Sequence, residues 1–154
     1  MRLALYQPDI PQNLGAAIRV AACFAASLDV IEPAGFPLTD KALKRAALDY
    51  GPLVPIERHA SFASFLAHPA RTEGRLVLIE TDGEHRLDRF PFAAGDTLLL
   101  GRESAGSPLE AYQSAAATVR IPIAKDARSL NVAVAAAVAL SEAMRQTGLY
   151  ETLA

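Results

Sequence analysis

Short apolar runs alternating with helical segments constrain this chain more than any other feature. Residues 2–6, 28–31, 54–56, 75–80, 97–100 and 118–123 read as strands, each too short and too apolar to stand as an amphipathic helix. Between them lie helical stretches at 14–26, 40–48 and 109–113. A short helix capped by Ser61 turns Phe62, Phe65 and Leu66 inward, and an Ala/Val-rich helix stops near Gly148. Strands that alternate with helices predict an α/β fold whose mostly parallel sheet is flanked by helices on both faces. No repeat, low-complexity tract or linker interrupts the pattern, so residues 1–154 read as one domain.

Half the residues are apolar and 21% are charged, which excludes a disordered chain. The longest apolar run, residues 132–140, is too short to cross a bilayer, and no membrane partner is expected. The first residues lack the pattern of a signal peptide and read as a strand, so a cytoplasmic location is expected. Cys23 is alone, which excludes an internal disulfide and a multi-cysteine metal site. His59, His68 and His85 have no ligand-like spacing and read as surface residues, so no metal is expected.

The formal charge of −2 argues against a chain devoted to nucleic acid. Basic residues are nonetheless grouped, with Lys41, Lys44 and Arg45 on one helix face and Lys125 and Arg128 in one loop. Two subunits that pooled such patches would hold a phosphate backbone better than one. The alanine-rich C-terminal helix suits close packing on its own sheet and on a second copy, so a homodimer is expected.

Three loops marked by Gly, Pro and Asn each follow a strand: residues 8–15, 101–108 and 121–131. Pro122 cannot donate to a sheet ladder, so the strand before it should end there or lie at an edge. Asn13 and Ser129 each precede a helical run and are expected to cap it, and Thr39 does the same for the helix at 40–48. Arg19 is the only charge on its helix, one turn beyond Gly15, and is expected to aim back at the loop. In open α/β sheets ligands bind beyond the carboxyl ends of strands, where all three loops would meet.

Familiar site types fail here. Residues 101–107 have glycines but lack the lysine of a phosphate-binding P-loop, no G-x-G-x-x-G follows a strand, and no G-x-S-x-G supplies a nucleophile elbow. Taken together, however, Pro11-x-Asn13-x-Gly15-x-x-x-Arg19, Gly101-x-Glu103-x-x-Gly106-x-Pro108, and Ile121-Pro122 through Ser129-Leu130-Asn131 resemble the three motifs of the SPOUT RNA 2′-O-methyltransferases. Ile31-Glu32-Pro33-x-Gly35-Phe36 and Leu48-Asp49-Tyr50 extend the likeness to the minimal members that act on cytidine or uridine 34 of tRNA.

The resemblance implies a C-terminal trefoil knot, S-adenosylmethionine as cofactor and the tRNA anticodon loop as partner. It implies cofactor contacts at Ile79, Gly101, Ile121, Ser129 and Leu130, with glycine at 101 letting backbone approach a flat ring. Arg19 would approach the reacting hydroxyl, with Asn13, Glu103, Ser129 and Asn131 shaping the site. Lys41, Lys44, Arg45, Lys125 and Arg128 would contact RNA. Two departures stand out: Arg102 where such relatives commonly have Pro, and Ser141 where some carry Tyr. Another tRNA or rRNA ribose as target, or a non-catalytic RNA-binding protein on the same fold, are the alternatives.

Overall fold

The chain order is β1 (Arg2–Tyr6), α1 (Pro11–Cys23), β2 (Ser27–Ile31), α2 (Asp40–Ala47), β3 (Ile56–His59), α3 (Phe62–Leu66), α4 (Pro69–Thr72), β4 (Leu76–Ile79), β5 (His85–Arg86), β6 (Thr97–Leu100), α5 (Leu109–Ser114), β7 (Ala117–Arg120) and α6 (Val132–Thr147). This computed structural model describes residues 1–153. The strands form one seven-stranded sheet in the order β3-β2-β1-β6-β4-β7-β5, and every pairing is parallel. The α/β reading therefore holds, with helices on both faces.

The period of two along each strand divides the core. Leu3, Leu5, Val77, Ile79, Leu98 and Leu100 face one way and pack with Leu14 and Ile18 of α1 and Ala136 and Leu140 of α6. Ala4, Tyr6, Leu76, Leu78 and Leu99 face the other way, against Phe62 and Phe65 of α3 and Ala111 of α5. Burying side chains of this size stabilises the fold by about 1.5–3 kcal/mol each. Strands β1, β2, β4 and β6 are thus buried on both faces, which is why they read as unbroken apolar runs.

Gly15 lets α1 lie close to α2: a Cβ there would sit 2.8 Å from the Ala46 carbonyl oxygen. It serves helix packing and does not face the strand ends. The caps expected at Thr39 and Ser61 form, with their hydroxyls accepting from the Ala42 and Ser64 N–H groups. Gly148 ends α6 with φ +71°, its N–H donating to the Met144 carbonyl.

Several expectations are corrected. Helix α1 begins at Pro11, at a position where a missing N–H costs nothing, and Asn13 lies in its first turn without capping it. Ser129 does not cap α6; Asn131 does, its Oδ1 accepting from the N–H groups of Ala133 and Val134. Of the two outcomes expected near Pro122, strand β7 takes the first: it ends at Arg120, two residues before the proline, and lies inside the sheet, with β5 at the edge. The stretch 81–95, polar and without periodicity in the sequence, reads as a surface crossing, yet Leu87, Phe90 and Phe92 are buried in the core.

His59 is buried, not on the surface: its Nε2 lies 2.7 Å from Oδ1 of the fully buried Asp29. The parallel register of β2 and β3 makes this contact, which no local spacing announces. Ligand-type atoms of Asp29, Glu57 and His59 lie within 4.8 Å of one another, but the Arg2 guanidinium already holds both Asp29 oxygens at 2.9 Å.

Strand β7 sits between two earlier strands, β4 and β5, so the turn that joins those two crosses over the end of β7. That crossing is tight. A Cβ on Gly83 would lie 2.6 Å from the Arg120 nitrogen, and the Arg120 guanidinium donates to the carbonyls of Gly83 and Glu84. A threaded C-terminus requires connectivity of this kind.

Candidate active site

Strands β1, β4, β6 and β7 are neighbours, so the loops after Tyr6, Ile79, Leu100 and Arg120 open at one edge of the sheet. They enclose a cleft of about 340 Å³, within the size range of small-ligand sites. Its walls include Ile79, Gly101, Ile121, Ser129 and Leu130, the full set expected to contact a cofactor. Asn13, Glu103 and Asn131 line it as well, so four of the five expected catalytic residues meet there.

The loops are joined by side chains. Asn131 Nδ2 donates to Asn13 Oδ1 at 2.8 Å, and Asn13 Nδ2 donates to Glu103 Oε1 at 3.1 Å. The Asp9 N–H donates to the other Glu103 oxygen at 2.8 Å. One chain of contacts therefore runs from the 101–106 turn through the head of α1 to the head of α6. A carboxylate fixed by two donors holds its place, and Glu103 cannot swing away without abandoning both.

Asp9 anchors the same turn. Its carboxylate accepts from Arg102 Nη2 at 2.6 Å and Nε at 3.2 Å, and from the N–H and hydroxyl of Ser104. The Arg102 guanidinium, followed by the Ser104 hydroxyl, holds the Asp9 carboxyl down at about 2. The extra charge at position 102 is thereby neutralised and directed at the 7–10 loop, with a further contact to Gln7 Oε1.

Gly101 is required by its protein neighbours as well. A Cβ there would lie 2.5 Å from Glu80 Oε1 and 2.6 Å from the Gly106 carbonyl carbon. Gly106, at φ +67°, closes the turn through paired backbone bonds with Arg102.

Arg19 does not line this cleft. It is exposed on α1 with its guanidinium 4.9 Å from the centre of the Tyr50 ring. It faces a second cavity of about 1250 Å³ between α1, α2 and α6, lined also by Arg45, Leu48, Val134 and Val138. Asn13 and Asn131 line both cavities, so their hydrogen bond forms part of the wall between them. Lys41 and Lys44 are exposed on α2, and Lys125 and Arg128 are exposed on the loop before α6. These four stand outside both cavities.

Three placements escaped the sequence reading: Glu80 in the cleft, Asp9 behind the turn, and Tyr50, named there only within a motif, beneath Arg19. Glu80 had a usable signal, as the first polar residue at the carboxyl end of a buried strand. The other two are defined by partners far along the chain.

The cleft combines apolar walls (Ile79, Leu100, Ile121, Leu130) with two carboxylates, Glu80 and Glu103. Such a lining suits a partly apolar ligand that carries positive charge. S-adenosylmethionine, with its adenine ring and sulfonium, is a ligand of that kind, so the residues present fit it.

Comparison with known proteins agrees. The SpoU rRNA methylase family profile matches residues 1–141. A tRNA (cytidine(34)-2′-O)-methyltransferase of Beijerinckia indica is 51% identical over 146 residues, covering 95% of this chain and 91% of that protein. The Escherichia coli K12 protein of the same name is 37% identical over 150 residues, covering 96% and 94%. A solved structure described as giving insight into 2′-OH methylation of C/U34 on tRNA superposes with a TM-score of 0.85 at 46% identity, covering 94% of each chain. The SpoU methyltransferase AviRb of Streptomyces viridochromogenes, solved with AdoMet, superposes at 0.83 with 30% identity, covering 95% of this chain and 60% of that one. The chain belongs to the SpoU rRNA methylase family.

Proposed function

We propose that this protein transfers the methyl group of S-adenosylmethionine to the ribose 2′-hydroxyl of nucleotide 34, cytidine or uridine, in the tRNA anticodon loop. The observation that carries this reading is the meeting of Ile79, Gly101, Ile121, Ser129 and Leu130 with Asn13, Glu103 and Asn131 around one cleft. Relatives spanning almost the whole chain bear the name of that activity.

When bound, the cofactor supplies a methyl on a positively charged sulfur. Ile79, Ile121 and Leu130 exclude water and hold the apolar part of the ligand, while Ser129 and exposed backbone of the 121–131 loop offer polar contacts. Asn13 and Asn131, fixed against each other, set the wall past which the ribose reaches the cleft. Arg19, on the groove side of that wall, draws in the adjoining phosphate and orients the hydroxyl, a task for a fixed planar cation that stays protonated. Correct placement of an attacking oxygen is itself a large part of such catalysis.

The groove also supports a homodimer. Val134 and Val138 of α6 are exposed there at 48% and 38%, and Leu48 beside them at 63%. A second copy covering this stripe would bury it and would bring two sets of Lys41, Lys44, Arg45, Lys125 and Arg128 around one RNA. The C-terminal knot and a cytoplasmic location complete the proposal. No described helix is long and apolar enough to span a membrane.

Incubation with labelled S-adenosylmethionine and unmodified tRNA, followed by mapping of the labelled nucleotide, tests the reading. Label at the 2′-oxygen of nucleotide 34 is expected. Label at another ribose would move the assignment, and no label in any RNA despite cofactor binding would favour a binding protein.

A further inference from the structure

Two carboxylates line the cleft, and they are held very differently. Glu103 receives the Asp9 N–H and the Asn13 amide. Glu80 receives only the N–H of its neighbour Thr81 at a long 3.4 Å, and no cation pairs with it among the described residues. Its carboxylate is nonetheless held in place. It is half-buried just past the end of β4, its own N–H is tied to the Val119 carbonyl at 3.0 Å, and Oε1 occupies the space that a Cβ on Gly101 would need, 2.5 Å from that position. Ser107 Oγ, buried and without a hydrogen-bond partner, crowds the same side of Gly101.

The nearby cations are spent elsewhere: Arg102 on Asp9, and Arg120 on the carbonyls of Gly83 and Glu84. A partly buried carboxylate with free lone pairs is costly unless something positive meets it. Glu103, with a protein donor already on each oxygen, has less of that demand left to meet.

We infer that Glu80 supplies the counter-charge for the cofactor's sulfonium, so that the cleft prefers the charged methyl donor over the neutral thioether left after transfer. This rests on the proposed methyltransferase reading. Glu80 acts here in binding, and the exchange of spent for fresh cofactor is where its effect falls: once the methyl leaves, the sulfur is neutral and the attraction to Glu80 is gone.

The test is calorimetric titration of S-adenosylmethionine and S-adenosylhomocysteine into the wild-type protein and Glu80→Gln. Gln keeps the size of Glu and a carbonyl for the Thr81 N–H, and matched thermal unfolding will show that both chains are equally folded. Glu80→Gln is expected to weaken the methyl donor by about tenfold, the size of one charge-assisted contact, and the homocysteine product by much less. Added salt should weaken the donor's binding to the wild type more than to the variant. Equal losses for both ligands, or none for either, would overturn the inference. So would wild-type donor affinity combined with a slower turnover at saturating cofactor, which would place Glu80 on the reacting hydroxyl. If the wild type binds neither ligand, the methyltransferase reading itself fails, a result distinct from all of these.

Discussion

Asn131 donates its side-chain amide to the side-chain carbonyl of Asn13 at 2.8 Å, joining the heads of the two helices that flank the site across 118 residues of chain. The same Asn131 caps α6 with its remaining oxygen. Replacing it separates the two roles. Asn131→Ala removes both and is expected to lower stability by about 1–2 kcal/mol, read by urea unfolding. Asn131→Asp keeps a capping oxygen but loses the donor facing Asn13. Its unfolding midpoint should stay near wild type while methyl transfer drops.

Arg19→Ala should reduce methyl transfer by about a hundredfold or more, the scale of losing one group that stabilises developing charge. The fold should hardly notice, since the residue is exposed and its contact with the Tyr50 ring is worth about 1 kcal/mol or less. Single-turnover rates compared with thermal unfolding check this. Normal transfer by the folded variant would remove Arg19 from the reaction.

Acid should loosen the 101–106 turn in a defined window. The Asp9 carboxyl is held at about 2 in the folded chain by Arg102 and Ser104, below its ordinary value near 4. A lowered folded value means the contribution is complete above about pH 4 and is lost as pH falls from about 4 through about 2. Glu142, also held at about 2 by Arg145 and Gln146, adds to the same slope, although its pair lies on the surface. Subtracting the unfolding curve of Asp9→Asn from that of the wild type isolates the Asp9 share. Parallel curves between pH 5 and 2 would show that the strut contributes nothing.

Gly15→Ala should destabilise the protein by about 1–3 kcal/mol, because the new methyl meets the Ala46 backbone carbonyl and pushes α1 and α2 apart. Chemical denaturation measures the loss. Gly15 and Ala46 line the groove and not the cleft, so affinity for the proposed cofactor in the folded fraction should survive.

Neutralising Lys41, Lys44 and Arg45 together should weaken tRNA binding and flatten its salt dependence by about 2 in the log–log slope, as expected for three lost phosphate contacts. Affinity measured at several salt concentrations decides it. An unchanged slope would move the RNA path away from α2.

Most of the strands and the meeting of three loops at one cleft were legible because both follow from local signals, whereas β5 was not expected and β3 lies at 56–59 rather than 54–56. A buried parallel strand is an apolar run, and a loop that must hold a ligand carries Gly, Pro or Asn. Features resting on long-range partners were not legible. His59 looks like a surface histidine until the β2–β3 register sets it against Asp29. Leu87, Phe90 and Phe92 fill the core from a segment with no periodicity, since irregular chain packs without a repeat to betray it. The misplaced cap of α6 has a simpler cause. Ser129 and Asn131 are both capping types, and only the start of the helix at Val132 chooses between them. Arg102 illustrates the same limit, because nothing beside it in the chain foretells Asp9.

The double duty of Asn131 ties opening to unwinding. Any motion that parts it from Asn13 to widen the passage between groove and cleft also pulls on the residue that holds the first turn of α6 together. If the proposed substrate enters by that passage, admission would fray the start of α6, the longest described helix, and the amides of Ala133 and Val134 would be the first to register it.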